Sequence, residues 1–158
     1  MKIEVSATLG KGPSKKTAFD SALAEVDMHN YNLVEFSSVI PPNAEVEVVE
    51  SVEKSFVTGS AVSVVLSVDY STPKDDRSAY AELCWNQSRS GSGYFIESTD
   101  GESVSEEELD HIESNREQSF TSRPESVASV SGNTDEYNCS IVLGVYGRID
   151  TEYNESPY

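Results

Sequence analysis

Residues 2–9 (KIEVSATL) alternate apolar and polar side chains, which predicts a strand with one buried face. Gly10-Lys11-Gly12-Pro13-Ser14 then reads as a loop, with Ser14 placed to cap a helix. From Ser14 to Val26 the apolar residues Ala18, Phe19, Ala22, Leu23 and Val26 fall on one helical face. Asp20 lies roughly 100° round the helix from Phe19, at the edge of that face. Asp27 and Asn30 mark a turn. Tyr31 to Phe36 is a short apolar strand that runs into Ser37-Ser38-Val39-Ile40. Pro41-Pro42-Asn43 breaks it, because neither proline can donate to a ladder.

The remainder is rich in strands. Residues 44–52 alternate, and 61–70 (AVSVVLSVDY) have the β-branched density of a central strand. After a turn over 71–77, residues 79–85 and 93–98 predict two strands around the loop Ser88-Arg89-Ser90-Gly91-Ser92. Ser105-Glu106-Glu107-Glu108 is a capping box that starts a second helix. Leu109, Ile112, Arg116 and Phe120 share its face, and Arg123-Pro124 should end it. Residues 125–131 and 139–146 are the last strands, and 151–158 are expected to be a frayed, disordered tail. Two helices with about seven strands predict an α+β fold, with two sheets packed face to face and helices outside. No internal repeat or linker divides the chain, so residues 1–158 are expected to form a single domain.

Charge narrows the partners. The chain carries 28 acidic against 11 basic residues, a net charge of −17, yet apolar segments recur throughout, which argues against disorder. A folded domain with so acidic a surface suits a halophilic, high-salt cytoplasm, where self-repulsion is screened. Nucleic acid and anionic membrane are disfavoured as partners, since both need a basic patch and Lys15-Lys16 is the sole adjacent basic pair. Met1-Lys2-Ile3-Glu4 leads into no apolar signal segment, which points to a cytoplasmic location. Cys84 and Cys139 are far apart in sequence and read as buried thiols. With His29 and His111 they make poor metal-site material, so no metal is expected.

Dinucleotide, Walker A and GxSxG signatures are absent. What stands out is an ordered set of short segments: Ala18-Phe19-Asp20-Ser21-Ala22-Leu23, Asn30-Tyr31-Asn32-Leu33, Ser37-Ser38-Val39-Ile40-Pro41-Pro42 and Gly93-Tyr94-Phe95-Ile96-Glu97. In this order they resemble the pyruvoyl-dependent arginine decarboxylases, from about residue 5 to about residue 147. The first resembles that family's AFDxAL helix, the second its NxNL segment, the third its SSxxPP cleavage motif and the fourth its glycine-to-glutamate strand. The Ser-Ser-x-x-Pro-Pro element in this setting is the specific part. Ser-Ser alone would be a plain loop in so serine-rich a chain.

The chemistry of that site can be argued from its residues. Ser38 Oγ can attack the Ser37 carbonyl if a strained turn aligns them, giving an ester in place of the peptide. Elimination would free Ser37 as a new carboxyl terminus, and hydrolysis with loss of ammonia would leave a pyruvoyl group at position 38. The products would be chains 1–37 and 38–158. A pyruvoyl ketone does what pyridoxal does elsewhere: it forms a Schiff base with the substrate amine and accepts the electrons released as CO2 departs. Asn32 could donate an amide N–H to the oxyanion of the acyl shift, the role of the matching residue in the family. The resemblance implies Glu97 as proton donor, which would require partial burial and a raised pKa. It also implies Asp20 as the carboxylate that pairs with the substrate guanidinium, in a site shared between subunits.

By resemblance the fold is a four-layer αββα sandwich, assembling as a homotrimer or a dimer of trimers. The implied reaction turns L-arginine into agmatine and CO2, feeding polyamine biosynthesis. Two alternatives stay open: the same chemistry on histidine or lysine, and an uncleaved acidic binding protein. The chain departs from the family pattern at Val26-Asp27, where many members have Ala-Gly, and between Ala79 and Gly93, where Trp85-Asn86-Gln87 has no clear counterpart.

Overall fold

The structure, a computed structural model, describes residues 1–116, 119–120, 124–132 and 134–150. The element order is β1 (Lys2–Gly12), α1 (Lys15–Glu25), β2 (Asn32–Glu35), β3 (Val39–Ile40), β4 (Glu45–Val48), β5 (Ala61–Ser71), β6 (Tyr80–Gln87), β7 (Gly93–Thr99), α2 (Glu106–Ser114), β8 (Glu125–Val130) and β9 (Tyr137–Arg148). A five-stranded sheet has the order β2-β5-β9-β1-β4, and a four-stranded sheet the order β3-β7-β6-β8. The fold is therefore α+β, with two sheets and two helices, compatible with the αββα sandwich.

The strand period of two explains both cores. Ile3, Val5, Val65 and Val142 of the larger sheet meet Ala81, Leu83, Trp85 and Phe95 of the smaller one. On the larger sheet's other face, Val62, Val64, Cys139, Ile141 and Leu143 meet Ala18, Ala22 and Leu23 of α1. Ser14 caps α1 reciprocally: its hydroxyl accepts from Thr17 N at 3.3 Å, and Thr17 Oγ1 accepts from Ser14 N at 3.0 Å. The thinner outer layer on the smaller sheet holds α2 by polar contacts, with Glu113 Oε1 accepting from Asn86 Nδ2 and from Tyr94 Oη, each at 2.8 Å. Cys84 and Cys139 are free and buried, and burial pushes the two thiols up to about 11 and about 12 respectively.

Several expectations need correction. The predicted loop at Gly10 is strand, because β1 continues to Gly12 so that α1 can lie close against it. A Cβ on Gly10 would sit 2.1 Å from Ala18 O and 2.3 Å from Ala22 N. The segment predicted as a strand over 44–52 is shorter, Glu45–Val48. The predicted second helix stops at Ser114 rather than running to Arg123-Pro124, with Asn115 at its C-cap. Phe120 is not on that helix: it bridges to Ser88 and stacks edge-on against Tyr94 at 5.2 Å. The expected helix end at Arg123 and the expected tail at 151–158 lie outside the described residues. The stretch between Ala79 and Gly93 is β6 plus a tight hairpin, closed by Ser88 N donating to Ser92 O at 2.7 Å. Asp27, which stands where the family often has glycine, takes up the left-handed helix exit itself, with φ 61°.

Candidate active site

β2 and β3 are separated by two further residues after Phe36, yet they belong to different sheets. β2 pairs in parallel with β5 in the larger sheet, and Phe36 N still donates to Val64 O at 2.8 Å. β3 pairs antiparallel with β7 in the smaller sheet, and Ser38 O already accepts from Phe95 N at 2.8 Å. Ser37 is therefore the one residue between the last bond to one sheet and the first bond to the other. The chain crosses between layers at the Ser37–Ser38 peptide.

The crossing is strained. Ser38 has φ 53°, the left-handed region, which costs a non-glycine residue on the order of 1–3 kcal/mol. Anchors in both sheets hold it there. Pro41-Pro42 follows at once and limits β3 to two residues, after which Asn43, at φ 60°, turns the chain away.

The Ser38 hydroxyl donates to Glu97 Oε1. Glu97 reaches it because β7 carries Phe95 and Glu97 on the face turned toward the other sheet. Tyr146, at the far end of β9, completes the setting. Its ring packs against Phe36 at 5.7 Å and Phe95 at 6.3 Å, and its hydroxyl donates to Val39 O at 3.0 Å. Burial, with the Glu97 charge nearby, pushes the Tyr146 phenol up to about 12, so it remains a donor across the physiological range. An open cleft of about 370 Å³ adjoins the crossing, with Phe36, Val39, Pro41 and Tyr146 among its lining residues.

Of the residues singled out from the sequence, Ser37, Ser38 and Glu97 come together. Asp20 and Asn32 do not join them within one protomer. Asp20 is exposed on α1, which covers the outer face of the larger sheet. Asn32 starts β2, and the extended chain from there to Ser38 spans roughly 15–20 Å. Its side-chain amide donates to Gly59 O at 2.7 Å, and its backbone N to Ser60 O at 2.9 Å. Glu97 is exposed in the isolated protomer, against the expected partial burial. Sequence reasoning missed Tyr146 and the Phe95 N–H. Tyr146 closes an apolar run that reads as core, and a backbone donor leaves no trace in side-chain pattern.

The comparison with known families now decides between the classes left open. The model of the pyruvoyl-dependent arginine decarboxylases matches residues 2–151. The chain belongs to this family. It is 26% identical to the pyruvoyl-dependent arginine decarboxylase of Halobacterium salinarum, over 98% of this chain and 99% of that one. It is also 34% identical, over 42% of each chain, to the protein of that name from Methanothermobacter thermautotrophicus. Membership makes the protein a pyruvoyl-dependent enzyme of the decarboxylase class, with a covalently bound pyruvoyl prosthetic group. The residues present fit that group, since Ser38 is the strained serine at the crossing and its hydroxyl and carbonyl are both held by β7. Among the described residues, no helix is long and apolar enough to cross a membrane.

Proposed function

We propose that the chain cleaves itself between Ser37 and Ser38 and then decarboxylates L-arginine to agmatine and CO2. The observation that carries this reading is the left-handed Ser38 at the sheet crossing, with its hydroxyl on Glu97. Release of backbone strain favours leaving the peptide state, and the two sheets keep the products in place afterwards. The pyruvoyl group supplies a ketone for the substrate amine and an electron sink for the departing carboxylate's electrons.

The chain's own residues have three tasks. The Phe95 N–H holds the carbonyl oxygen of residue 38, where negative charge would develop. Glu97 Oε1, which accepts from Ser38 Oγ, is placed to return a proton to the substrate carbon. Asp20 accepts the guanidinium, and Asn32 assists the acyl shift, each from a neighbouring protomer of a homotrimer or dimer of trimers. That assembly is supported by the separation of Asp20 and Asn32 from Ser38 within one chain. It is also supported by the exposed apolar residues Val34, Phe36 and Val39 around the crossing. A neighbour seated there would also bury Glu97.

Intact-mass measurement of the purified protein tests the reading. Two chains are expected, 1–37 and a pyruvoyl-started 38–158, the latter reducible by borohydride in the presence of arginine. A single uncleaved mass would overturn it. CO2 release from arginine, histidine and lysine side by side tests the substrate, with arginine expected to exceed the other two.

A further inference from the structure

We infer that Tyr146 is a positioning residue for self-cleavage: its hydroxyl clamps the two sheets across the Ser37–Ser38 bond and keeps Ser38 in its left-handed conformation. This rests on the cleavage reading and adds to it the element that maintains the strain. The geometry forms a closed bracket. Phe36 N donates to Val64 O, Val64 pairs with Val145, and the next residue, Tyr146, reaches back to Val39 O at 3.0 Å. Both ends of the segment Phe36–Val39 are thereby fastened to the same few residues of the larger sheet. The other bonds that hold Ser38 O, Val39 and Ile40 come from β7, in the smaller sheet. Without the Tyr146 hydroxyl, the crossing can relax by letting β3 slide with its own sheet.

The local backbone is built for this placement. β5 pairs Ser63 with Gly147 and Val64 with Val145, so Tyr146 is the extra residue of a β-bulge. Bulges re-aim a side chain at the end of a ladder. The bulge's own carbonyls are satisfied by Lys54, whose Nζ donates to Tyr146 O at 2.9 Å and Val145 O at 3.1 Å, and also to Lys2 O. Tyr146 is 7% exposed and its ring is in contact with Phe36 and Phe95, so its hydroxyl has little freedom to leave Val39.

Tyr146 contributes no atom to the reaction. Ser38 Oγ bonds to the Ser37 carbonyl carbon, the C–N bond breaks, and the hydroxyl proton ends on the nitrogen of residue 38. The Cα proton of residue 38 then leaves, the Cβ–Oγ bond breaks and Ser37 departs as a carboxylate. One water converts what remains at position 38 into the ketone and ammonia. Strain at Ser38 acts on the first of these steps.

The test is a mass-resolved time course of cleavage in full-length Tyr146→Phe, which keeps the ring and loses the hydroxyl. Cleavage five- to tenfold slower than wild type is expected, the effect of one lost hydrogen bond on a rate. Hydroxylamine, which captures the ester, should be slowed by the same factor. Stability is read in a Ser38→Ala background, where Tyr146→Phe should shift Tm by no more than a few degrees. Arg77→Met, which weakens an ion pair at the β5–β6 connection, should leave the cleavage rate unchanged. 4-Aminophenylalanine at 146, which restores a donor, should recover it.

Four results would overturn the inference: equal cleavage rates in wild type and Tyr146→Phe, wild-type hydroxylamine sensitivity in the variant, equal slowing by Arg77→Met, or no recovery with the restored donor. A wild-type chain that never cleaves would instead overturn the proposed function.

Discussion

The close approach of α1 to β1 makes a quantitative prediction. Gly10 is the residue that permits it, since a Cβ there would lie 2.1 Å from Ala18 O, 2.3 Å from Ala22 N and 2.8 Å from Ala22 Cα. All three are backbone atoms of a helix, so no side chain can swing away. In Gly10→Ala the helix must rise by about 1 Å to reach ordinary contact, and a gap of that size forfeits roughly a quarter to a half of each dispersion contact. The contacts at stake are those of Ala18, Ala22 and Leu23 with the larger sheet. The hydrogen bond from Thr8 Oγ1 to Ala22 O, 3.0 Å long and buried, would stretch as well, at about 1 kcal/mol. With overpacking at about 2–3 kcal/mol, the total is about 3–4 kcal/mol. For a domain of this length that lowers Tm by roughly 8–14 °C. Thermal denaturation followed by circular dichroism measures it, with Gly132→Ala as the control, because among the described residues no atom beyond the chain neighbours lies within 4 Å of a Cβ there. Self-cleavage should persist below the new Tm, since α1 covers the outer face of the larger sheet, whereas Ser38 is held by β7 of the smaller sheet. A Tm within about 2 °C of wild type would refute the packing argument.

Glu97→Gln keeps an oxygen that accepts from Ser38 Oγ but has no acidic proton to give, so cleavage should persist while turnover falls at least about 100-fold. Full activity in that variant would remove Glu97 from the mechanism. Asp69 is pushed up by burial, but the Arg77 guanidinium at 2.6 Å and the N–H groups of Tyr80 and Tyr70 outweigh this and hold its carboxyl below 3.8. The folded state therefore binds that proton less readily than the unfolded state. This stabilisation is complete above the unfolded value and fades as pH falls through the folded one. Arg77→Met should cost about 1–2 kcal/mol, modest because Arg77 is 45% exposed, and move the acid-unfolding midpoint to higher pH; an unchanged midpoint would count against the pairing. Asp27→Gly relieves a left-handed residue worth about 1–2 kcal/mol and loses the bond from Ser51 Oγ at 3.0 Å, worth about 0.5–1 kcal/mol. A Tm equal to wild type or up to about 3 °C higher is expected, and a fall of several degrees would contradict it.

Local features were legible in the sequence because their causes are local. The β-branched density of residues 61–70, the Ser14 cap of α1 and the capping box at Ser105 each depend on neighbours within a turn or a strand, and the strand and both caps are present in the structure. The Ser-Ser-x-x-Pro-Pro segment and Glu97 were found as motifs, and Ser38 and Glu97 meet. Pattern also misled where a distant partner decided the outcome. Gly10 and Gly12 read as a loop because glycine is a turn residue, whereas a helix pressed against the strand is what requires them. The apolar spacing that carried the second helix to Phe120 was overridden by Phe120's contacts with Ser88 and Tyr94.

What the amino-acid order determined by itself is where most of the strands and the two helices begin, and that a Ser-Ser pair stands just before two prolines. Tertiary structure alone decided that β2 and β3 join different sheets, so that Ser37 spans them and Ser38 is strained. It alone brought Tyr146 to Val39 across 107 positions of sequence. It also left Asp20 and Asn32 away from Ser38 in one chain. The physical reason is that strain and long-range hydrogen bonds belong to packed layers, and periodicity along a chain reports only which face each layer will bury.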